Sequence, residues 1–170
     1  MLSSKELKDT MKKSEFLRKT ERGGKIKLVE VSDRVKESYL QKSTSNLESA
    51  KILLKEGKFE ESVALIYYSM YNSLMALLFK IGIKSENHSA SIMLMKEIFG
   101  LDNSKIEFAK KERLDKQYYI DFHVTKKDVE ELIGIAEEFS SYLYNFLEKI
   151  KNEEVKRFRD RFKEMFKSDK

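Results

Sequence analysis

The stretch FEESVALIYYSMYNSLMALLFKIGI, residues 59–83, decides the fold of this chain. Its apolar residues recur in steps of three and four, which is the period of one face of an α-helix. A second apolar stripe, which includes Tyr67 and Tyr71, runs beside the first. The pattern therefore predicts a helix that is contacted from more than one side. The first stripe consists of Phe59, Val63, Ile66, Met70, Leu74, Leu77 and Ile81.

Two further features of this stretch indicate where the helix lies. Polar residues interrupt it, so its apolar runs are far shorter than the roughly 20 residues that cross a membrane. We therefore expect the central helix of a helical bundle and no membrane segment. One flank carries small residues, which let helix backbones approach closely and predict a contact with another helix or another subunit: Ser62, Ser69, Ser73 and Ala76.

Helical patterns lie on both sides of the central helix. Ser32 is a suitable N-cap for a helix over about 33–56, and Gly57 ends it, so this helix and the central one form an antiparallel hairpin. Further helices are predicted at about 89–99, at about 103–118 and from Thr125 to Ile150. The predicted fold is an all-α antiparallel up-and-down bundle of four to five helices over residues 32–150.

The two ends of the chain are basic. Residues 1–31 carry nine Lys/Arg against five Asp/Glu, and residues 151–170 carry eight against five, which gives +4 and +3. Because the whole chain has a net charge of +5, the remaining residues, 32–150, carry −2. This middle part therefore does not offer a basic surface for nucleic acid. We predict a basic N-terminal extension over 1–31 and a basic amphipathic extension of the last helix over 151–170. Within the first, KIKLVEV (25–31) alternates like a strand, but it lacks a partner strand and is interpreted as an extended connector.

Several kinds of chemistry are disfavoured by the sequence. Without cysteine there is no disulfide, thiolate metal site or cysteine nucleophile, in agreement with a cytoplasmic protein. His88 and His123 are too far apart for helical metal-ligand spacing, and no Glu-x-x-His pair exists to build a di-metal site. There is also no Gly-rich phosphate loop. We expect neither a metal nor a cofactor.

Four motifs nevertheless follow one another in a recognisable order. A helix end reads AKILLKEGKF (50–59), the central helix contains YYSMYNSL (67–74), and a loop contains NHS (87–89). The last motif is RLDKQY (113–118). In order and spacing, residues 45–150 resemble the HEPN superfamily, in particular its small stand-alone prokaryotic branch.

The resemblance implies an all-α bundle that is a homodimer and is often paired with a small nucleotidyltransferase as the toxin half of a toxin–antitoxin pair. Catalytic relatives are metal-independent ribonucleases with an arginine followed four to six residues later by a histidine. In them the arginine stabilises the charged phosphate and the histidine transfers a proton.

This chain departs from that ribonuclease motif. Tyr118 occupies the histidine position after Arg113, and Asn72 replaces a histidine that is common in the central helix. Tyrosine, with an ordinary pKa near 10, transfers protons poorly at neutral pH. Arg113 and Tyr118 are therefore the candidates for any catalysis. The candidates for ligand binding are Tyr68, Asn72, His88, Arg113 and Tyr118.

Three functions are compatible with this sequence. The first is a non-catalytic or weakly catalytic binding module for a nucleotide, an RNA or a partner nucleotidyltransferase, which is not an enzyme in the ordinary sense. The second is a metal-independent endoribonuclease toxin that uses Arg113 and Tyr118. The third is a structural interaction protein. Each candidate residue also has a structural interpretation: Arg113 as an ion-pair partner, Asn72 as a buried interhelical hydrogen-bonding group and His88 as a cap.

Overall fold

The computed structural model describes residues 4–118 and 123–167 and is almost entirely helical within them. In chain order the first elements are α1 (Ser4–Arg22), β1 (Ile26–Leu28), α2 (Asp33–Lys55) and α3 (Phe59–Lys80). The others are β2 (Ile83–Ser85), α4 (His88–Phe99), α5 (Ser104–Tyr118), α6 (Lys126–Lys149) and α7 (Asn152–Phe166). The predicted all-α class is confirmed.

Helix α3 is the centre of the bundle, as its two apolar stripes predict. Ile66, Met70, Leu74 and Leu77 have no exposed surface, and α2, α4, α5 and α6 all pack against this helix. By length and composition α3 could cross a membrane, but 72% of its most apolar window is buried inside the protein. Its apolar character is therefore that of a core helix.

The small-residue flank of α3 faces α2 of the same chain. Ser43 on α2 is hydrogen-bonded to Ser69 at 3.2 Å and to Ser73 at 2.8 Å, and Ser62 donates to the carbonyl of Ala50 at 2.8 Å. The predicted close helix contact is thus made within the chain. Because α2 covers this flank, the flank itself gives no support to a subunit contact.

The predicted helix caps on both sides of the bundle are present. The Ser32 side chain accepts from the backbone N–H of Val35 at 3.3 Å. Thr125 accepts from the N–H of Asp128, whose carboxylate in turn accepts from the N–H of Thr125. This reciprocal pair is a capping box, and it fixes where α6 begins.

The interpretation of KIKLVEV as an unpaired connector is wrong. Residues Ile26–Leu28 form β1, which pairs antiparallel with β2, so that Ile26 lies opposite Ser85 and Leu28 opposite Ile83. The partner strand follows the turn at Gly82 and is only three residues long, which is too short for alternation to reveal it. The pairing places Ile26 and Ile83 fully inside the core.

The predicted continuation of the last helix beyond residue 150 is also corrected. Helix α6 ends because Ile150 is extended, with ψ at 112°, and α7 begins anew. The Glu154 carboxylate accepts from the N–H of Lys151 at 3.0 Å and so stabilises this new start. Phe158 and Phe162 then bury their rings in the same core as the bundle.

Helix α7 holds the β pair and the end of α3 together through Arg159. Its Nη1 donates to the carbonyl oxygens of Val29 at 2.9 Å, Ile81 at 2.8 Å and Gly82 at 3.3 Å. Gly82 has φ of +70°, and a Cβ there would lie 2.2 Å from the same nitrogen. The glycine therefore permits both the turn into β2 and the approach of Arg159.

Candidate functional site

Aromatic, basic and imidazole side chains converge where α3, α4 and α5 meet. Helix α3 supplies three tyrosines, the first turn of α4 supplies a histidine, and α5 supplies two cations one turn apart. We call this group the Arg113 cluster; it consists of Tyr67, Tyr68, Tyr71, His88, Lys110 and Arg113.

The local sequence explains why His88 reaches this position. Gly82 turns the chain out of α3, β2 runs back along β1, and Asn87 then caps α4 by accepting from the N–H of Ala90 at 2.9 Å. His88 is consequently the first residue of α4. The turn, the strand and the cap together place its ring over the tyrosines of α3.

Arg113 lies against two adjacent aromatic rings. Its guanidinium carbon lies 4.9 Å from the centroid of Tyr67 and 5.3 Å from that of Tyr68, which is cation–π distance. Its Nη1 donates to the Tyr68 hydroxyl at 2.7 Å, whereas its Nε is buried without an acceptor among the described residues. No carboxylate of the described residues forms an ion pair with Arg113. Among these residues, its charge is stabilised only by the neutral side chains of Tyr67 and Tyr68.

His88 is fixed on two sides by tyrosines. Its Nδ1 shares a 2.7 Å hydrogen bond with the Tyr67 hydroxyl. Its ring stacks on Tyr71, with centroids 3.9 Å apart and planes inclined by 11°. Burial lowers the pKa of His88, and the positive charges of Arg113 and Lys110 lower it further. The imidazole is therefore neutral at pH 7.

The two buried tyrosines of the cluster keep their protons. Burial raises the pKa of Tyr67 well above the usual range, and the charge of Arg113 opposes this only in part. Burial also raises the pKa of Tyr71, and a hydrogen bond with Ser91 lowers it only in part. Both phenols are thus neutral hydrogen-bonding groups at neutral pH and do not act as proton acceptors.

Lys110 adds a second positive charge to the cluster. It lies three residues before Arg113 on α5, hence on the same face, and its Nζ donates to the Ser89 hydroxyl. Burial lowers the pKa of Lys110, as does the neighbouring charge of Arg113. Two cations that repel each other favour binding of an anion between them.

The structure brings three of the predicted site residues together, namely Tyr68, His88 and Arg113. Asn72 lies one turn beyond Tyr68 on α3, is half-buried, and makes no hydrogen bond to the cluster within the described ranges. Tyr118 is the last residue of α5, but its side chain lies outside the described residues, so its predicted role remains a prediction.

The sequence interpretation missed three members of the cluster. Tyr67 and Tyr71 lie on the apolar stripe of α3 and were assigned to the core, yet each has a hydroxyl that contacts the α4 segment. Lys110 was missed as well, although its three-residue spacing from Arg113 on a predicted helix was visible in the sequence. Within the described ranges, no group of three or more His, Cys, Asp or Glu residues is placed to hold a metal ion.

Comparison with known proteins identifies the family. The UPF0332 protein PH1297 of Pyrococcus horikoshii is 37% identical over 65 residues. This match covers 38% of the present chain and 43% of the relative, so the chain spans less than half the length of the curated relative it matches. The family model for the HEPN domain matches residues 36–155, which run from the first turn of α2 to the first turn of α7. Because this match covers most of the chain and all of the Arg113 cluster, the chain belongs to the HEPN domain family.

Proposed function

We propose that this protein is an RNA- or nucleotide-binding module that is non-catalytic or only weakly catalytic, with the Arg113 cluster as its ligand site. The observation that carries the proposal is the guanidinium of Arg113, fixed by Tyr67 and Tyr68 and free of any ion pair with the described residues. A structural arginine is normally neutralised by a carboxylate, whereas no carboxylate of the described residues pairs with this one, which supports its use for an anion.

The cluster offers complementary groups for both parts of a nucleotide. The planar guanidinium of Arg113 suits a phosphate, to which its remaining N–H groups can donate, and Lys110 supplies a second charge. Tyr68 is 37% exposed, and its ring can stack on a base, a contact worth about 1–3 kcal/mol per base. Phosphate and base recognition together favour nucleotides or single-stranded RNA over simple anions.

The tyrosine in the usual histidine position and the buried tyrosines of the cluster are poor proton acceptors, which argues against efficient RNA cleavage. Without a metal, transfer of the ribose 2′-hydroxyl proton requires a group with a pKa near neutral, and such a group contributes about 10²–10⁴-fold to the rate. Tyr118 occupies the position that supplies this group in catalytic relatives. The two buried tyrosines of the cluster, Tyr67 and Tyr71, keep their protons because burial raises their pKa.

The runner-up function is a metal-independent endoribonuclease toxin, and one observation favours it. His88 belongs to the Arg113 cluster, is neutral at pH 7, and uses only Nδ1 for its hydrogen bond with Tyr67. Its Nε2 has no hydrogen-bond partner among the described residues, and it can accept a proton in the tautomer whose Nδ1–H donates to the Tyr67 oxygen. His88 would then replace the missing histidine of α5.

A cleavage assay separates these two functions. The purified protein is incubated with structured and with unstructured RNA, with and without divalent metal, and the products are resolved on denaturing gels. We expect intact RNA. Cleavage that disappears in Arg113→Ala would support the ribonuclease, and cleavage that disappears in His88→Ala or Tyr118→Phe would also identify the base. Growth arrest on expression that Arg113→Ala relieves would support the toxin.

Two associations are also proposed, on the basis of the family. The protein is expected to form a homodimer, and light scattering that gives a strict monomer at tens of micromolar would contradict this. It is also expected to bind a nucleotidyltransferase, which should co-purify from native cells. If the nucleotidyltransferase co-purifies but the purified protein binds neither RNA nor nucleotide, the third function, a structural interaction protein, is favoured instead.

A further inference from the structure

A cavity lies at the other side of α4 from the Arg113 cluster, where α1, α4, the first turn of α5 and the end of α7 meet. Its volume is about 260 Å³, just below the range of roughly 300–1,000 Å³ that is typical of ligand pockets. No residue of the Arg113 cluster lines it. The helix α1, which forms one wall, lies outside residues 36–155 that match the HEPN domain.

Charges of both signs line this cavity. Its cations come from α1 and α4, and neither Lys13 nor Lys96 forms an ion pair with the described residues. Its carboxylates, Glu97 and Glu107, come from α4 and α5. The Nη1 of Arg18 donates to the carbonyl of Lys167 at 3.3 Å, which joins α1 to the end of α7 beside the cavity. A ligand with one negative and one positive group therefore finds partners for both.

A buried amide offers a further polar group. Asn103 is only 8% exposed and lines the cavity. Its Nδ2 donates to the carbonyl of Ile92 at 3.0 Å and to the carboxylate of Glu107 at 3.2 Å, which uses both N–H groups. Its carbonyl oxygen has no donor among the described residues. This oxygen is not itself shut off from solvent, so it can accept an N–H from a ligand in the cavity.

The remaining wall of the cavity is apolar. Phe166 is held in place by Phe162, with ring centroids 4.7 Å apart, and long flexible methionines adapt to different shapes. This wall consists of Leu17, Met93, Met165 and Phe166. It would bury an apolar body of small size.

We propose that this cavity binds a small zwitterion with an apolar body, of which the free apolar amino acids are the simplest examples. The carboxylate would contact Lys13 and Lys96, the ammonium group would donate to Glu97 and to the Asn103 carbonyl oxygen, and the side chain would pack on Phe166 and the methionines. Such a ligand would fasten α1 and α7 to the bundle. This site is independent of the proposed RNA or nucleotide site, because the two share no residue.

Titration calorimetry on the full chain tests the proposal with phenylalanine and leucine as probes. We expect one molecule per chain and weaker binding, by about tenfold or more, for 3-phenylpropionate, which lacks the ammonium group, and for phenethylamine, which lacks the carboxylate. Equal affinity for phenylalanine and both analogues would overturn the proposal. So would the absence of binding by both amino acids in the low-millimolar range.

Substitutions in the protein provide the second part of the test. Lys13→Met and Glu97→Gln should each weaken phenylalanine binding by about tenfold. Lys12→Met removes the same charge from the neighbouring exposed position of α1, which does not line the cavity, and should leave the affinity unchanged. If Lys12→Met and Lys13→Met have the same effect, the binding is not at this cavity and the proposal fails.

Discussion

Arg113 donates a 2.7 Å hydrogen bond to the Tyr68 hydroxyl across 45 residues of sequence. The contact joins α5 to α3 at a place where Tyr68 is still 37% exposed. It leaves the guanidinium oriented but not neutralised, because a phenol carries no charge at neutral pH. A cation that is rigid before binding loses little side-chain entropy when an anion arrives.

Tyr68→Phe tests the orienting role of this hydroxyl. The change keeps the ring and removes the acceptor of Arg113, so we expect affinity for a short single-stranded RNA to fall about fivefold, as for the loss of about 1 kcal/mol. Fluorescence anisotropy of labelled RNA measures it. Tyr142→Phe alters another exposed tyrosine, on α6, and should bind as the wild type does; an equal loss in both variants would contradict this role.

Gly82→Ala tests the approach of Arg159 to the turn into β2. Gly82 and Gly57 both have positive φ, but only at Gly82 would a Cβ overlap neighbours, at 2.2 Å from Arg159 Nη1 and 2.5 Å from the Val29 oxygen. Alanine at either position costs roughly 1–2 kcal/mol in backbone strain. We expect Gly82→Ala to lower the free energy of unfolding by about 1–3 kcal/mol more than Gly57→Ala does, as measured by urea unfolding. Equal losses would show that the turn tolerates a side chain.

Ser73→Leu tests the close packing of α2 on α3. Ser73 is 4% exposed and hydrogen-bonded to Ser43 and Ser140, so leucine would push the helices apart and leave hydroxyls unsatisfied. We expect a loss of at least about 2 kcal/mol in the free energy of unfolding. Ser141→Leu, at an exposed position on α6, should change it by no more than about 0.5 kcal/mol. A stable Ser73→Leu protein would contradict the packing.

The stability of the fold should depend on pH through His88. Burial and two nearby cations lower the folded-state pKa of His88, so between the two pKa values the unfolded chain binds more protons than the folded one. The contribution of His88 to the free energy of unfolding is therefore fully present above the unfolded pKa of about 6.5 and is lost as the pH drops below it. The free energy of unfolding, measured by urea at several pH values, should fall more for the wild type than for His88→Gln.

His123, the second histidine of the chain, provides the control for this measurement. His123→Gln removes an exposed ring and should leave the loss of stability below pH 6.5 as in the wild type. If His88→Gln retains the full wild-type pH dependence, the imidazole of His88 is not the group responsible.

The helices were predictable because their pattern repeats. The apolar period from Phe59 to Ile81 extends over several turns, and the caps at Ser32 and Thr125 mark helix starts with side chains that accept from the backbone. The pairing of β1 with β2 was not predictable, since each strand has three residues and the two are separated by the whole of α2 and α3. Alternation over three residues carries too little information.

The candidate site was predictable only in part, because sequence motifs indicate single residues but not how helices pack. Tyr68, His88 and Arg113 were singled out by the family motifs, but sequence position alone could not bring α3, α4 and α5 together. The roles of Tyr67 and Tyr71 in the site could not be predicted, because the helical periodicity indicates that a ring is buried but not what its hydroxyl contacts. Tyr67 has no exposed surface, yet its hydroxyl is what fixes the imidazole of His88.

The ratio of RNA affinities between the wild type and Arg113→Ala tests most directly whether the Arg113 cluster is a ligand site. Arg157→Ala removes the same charge from an exposed position on α7 and controls for long-range electrostatics. Anisotropy with a short single-stranded RNA at fixed salt should give at least about tenfold weaker binding for Arg113→Ala and a near-wild-type value for Arg157→Ala. Equal affinities of the wild type and Arg113→Ala would contradict the proposed site.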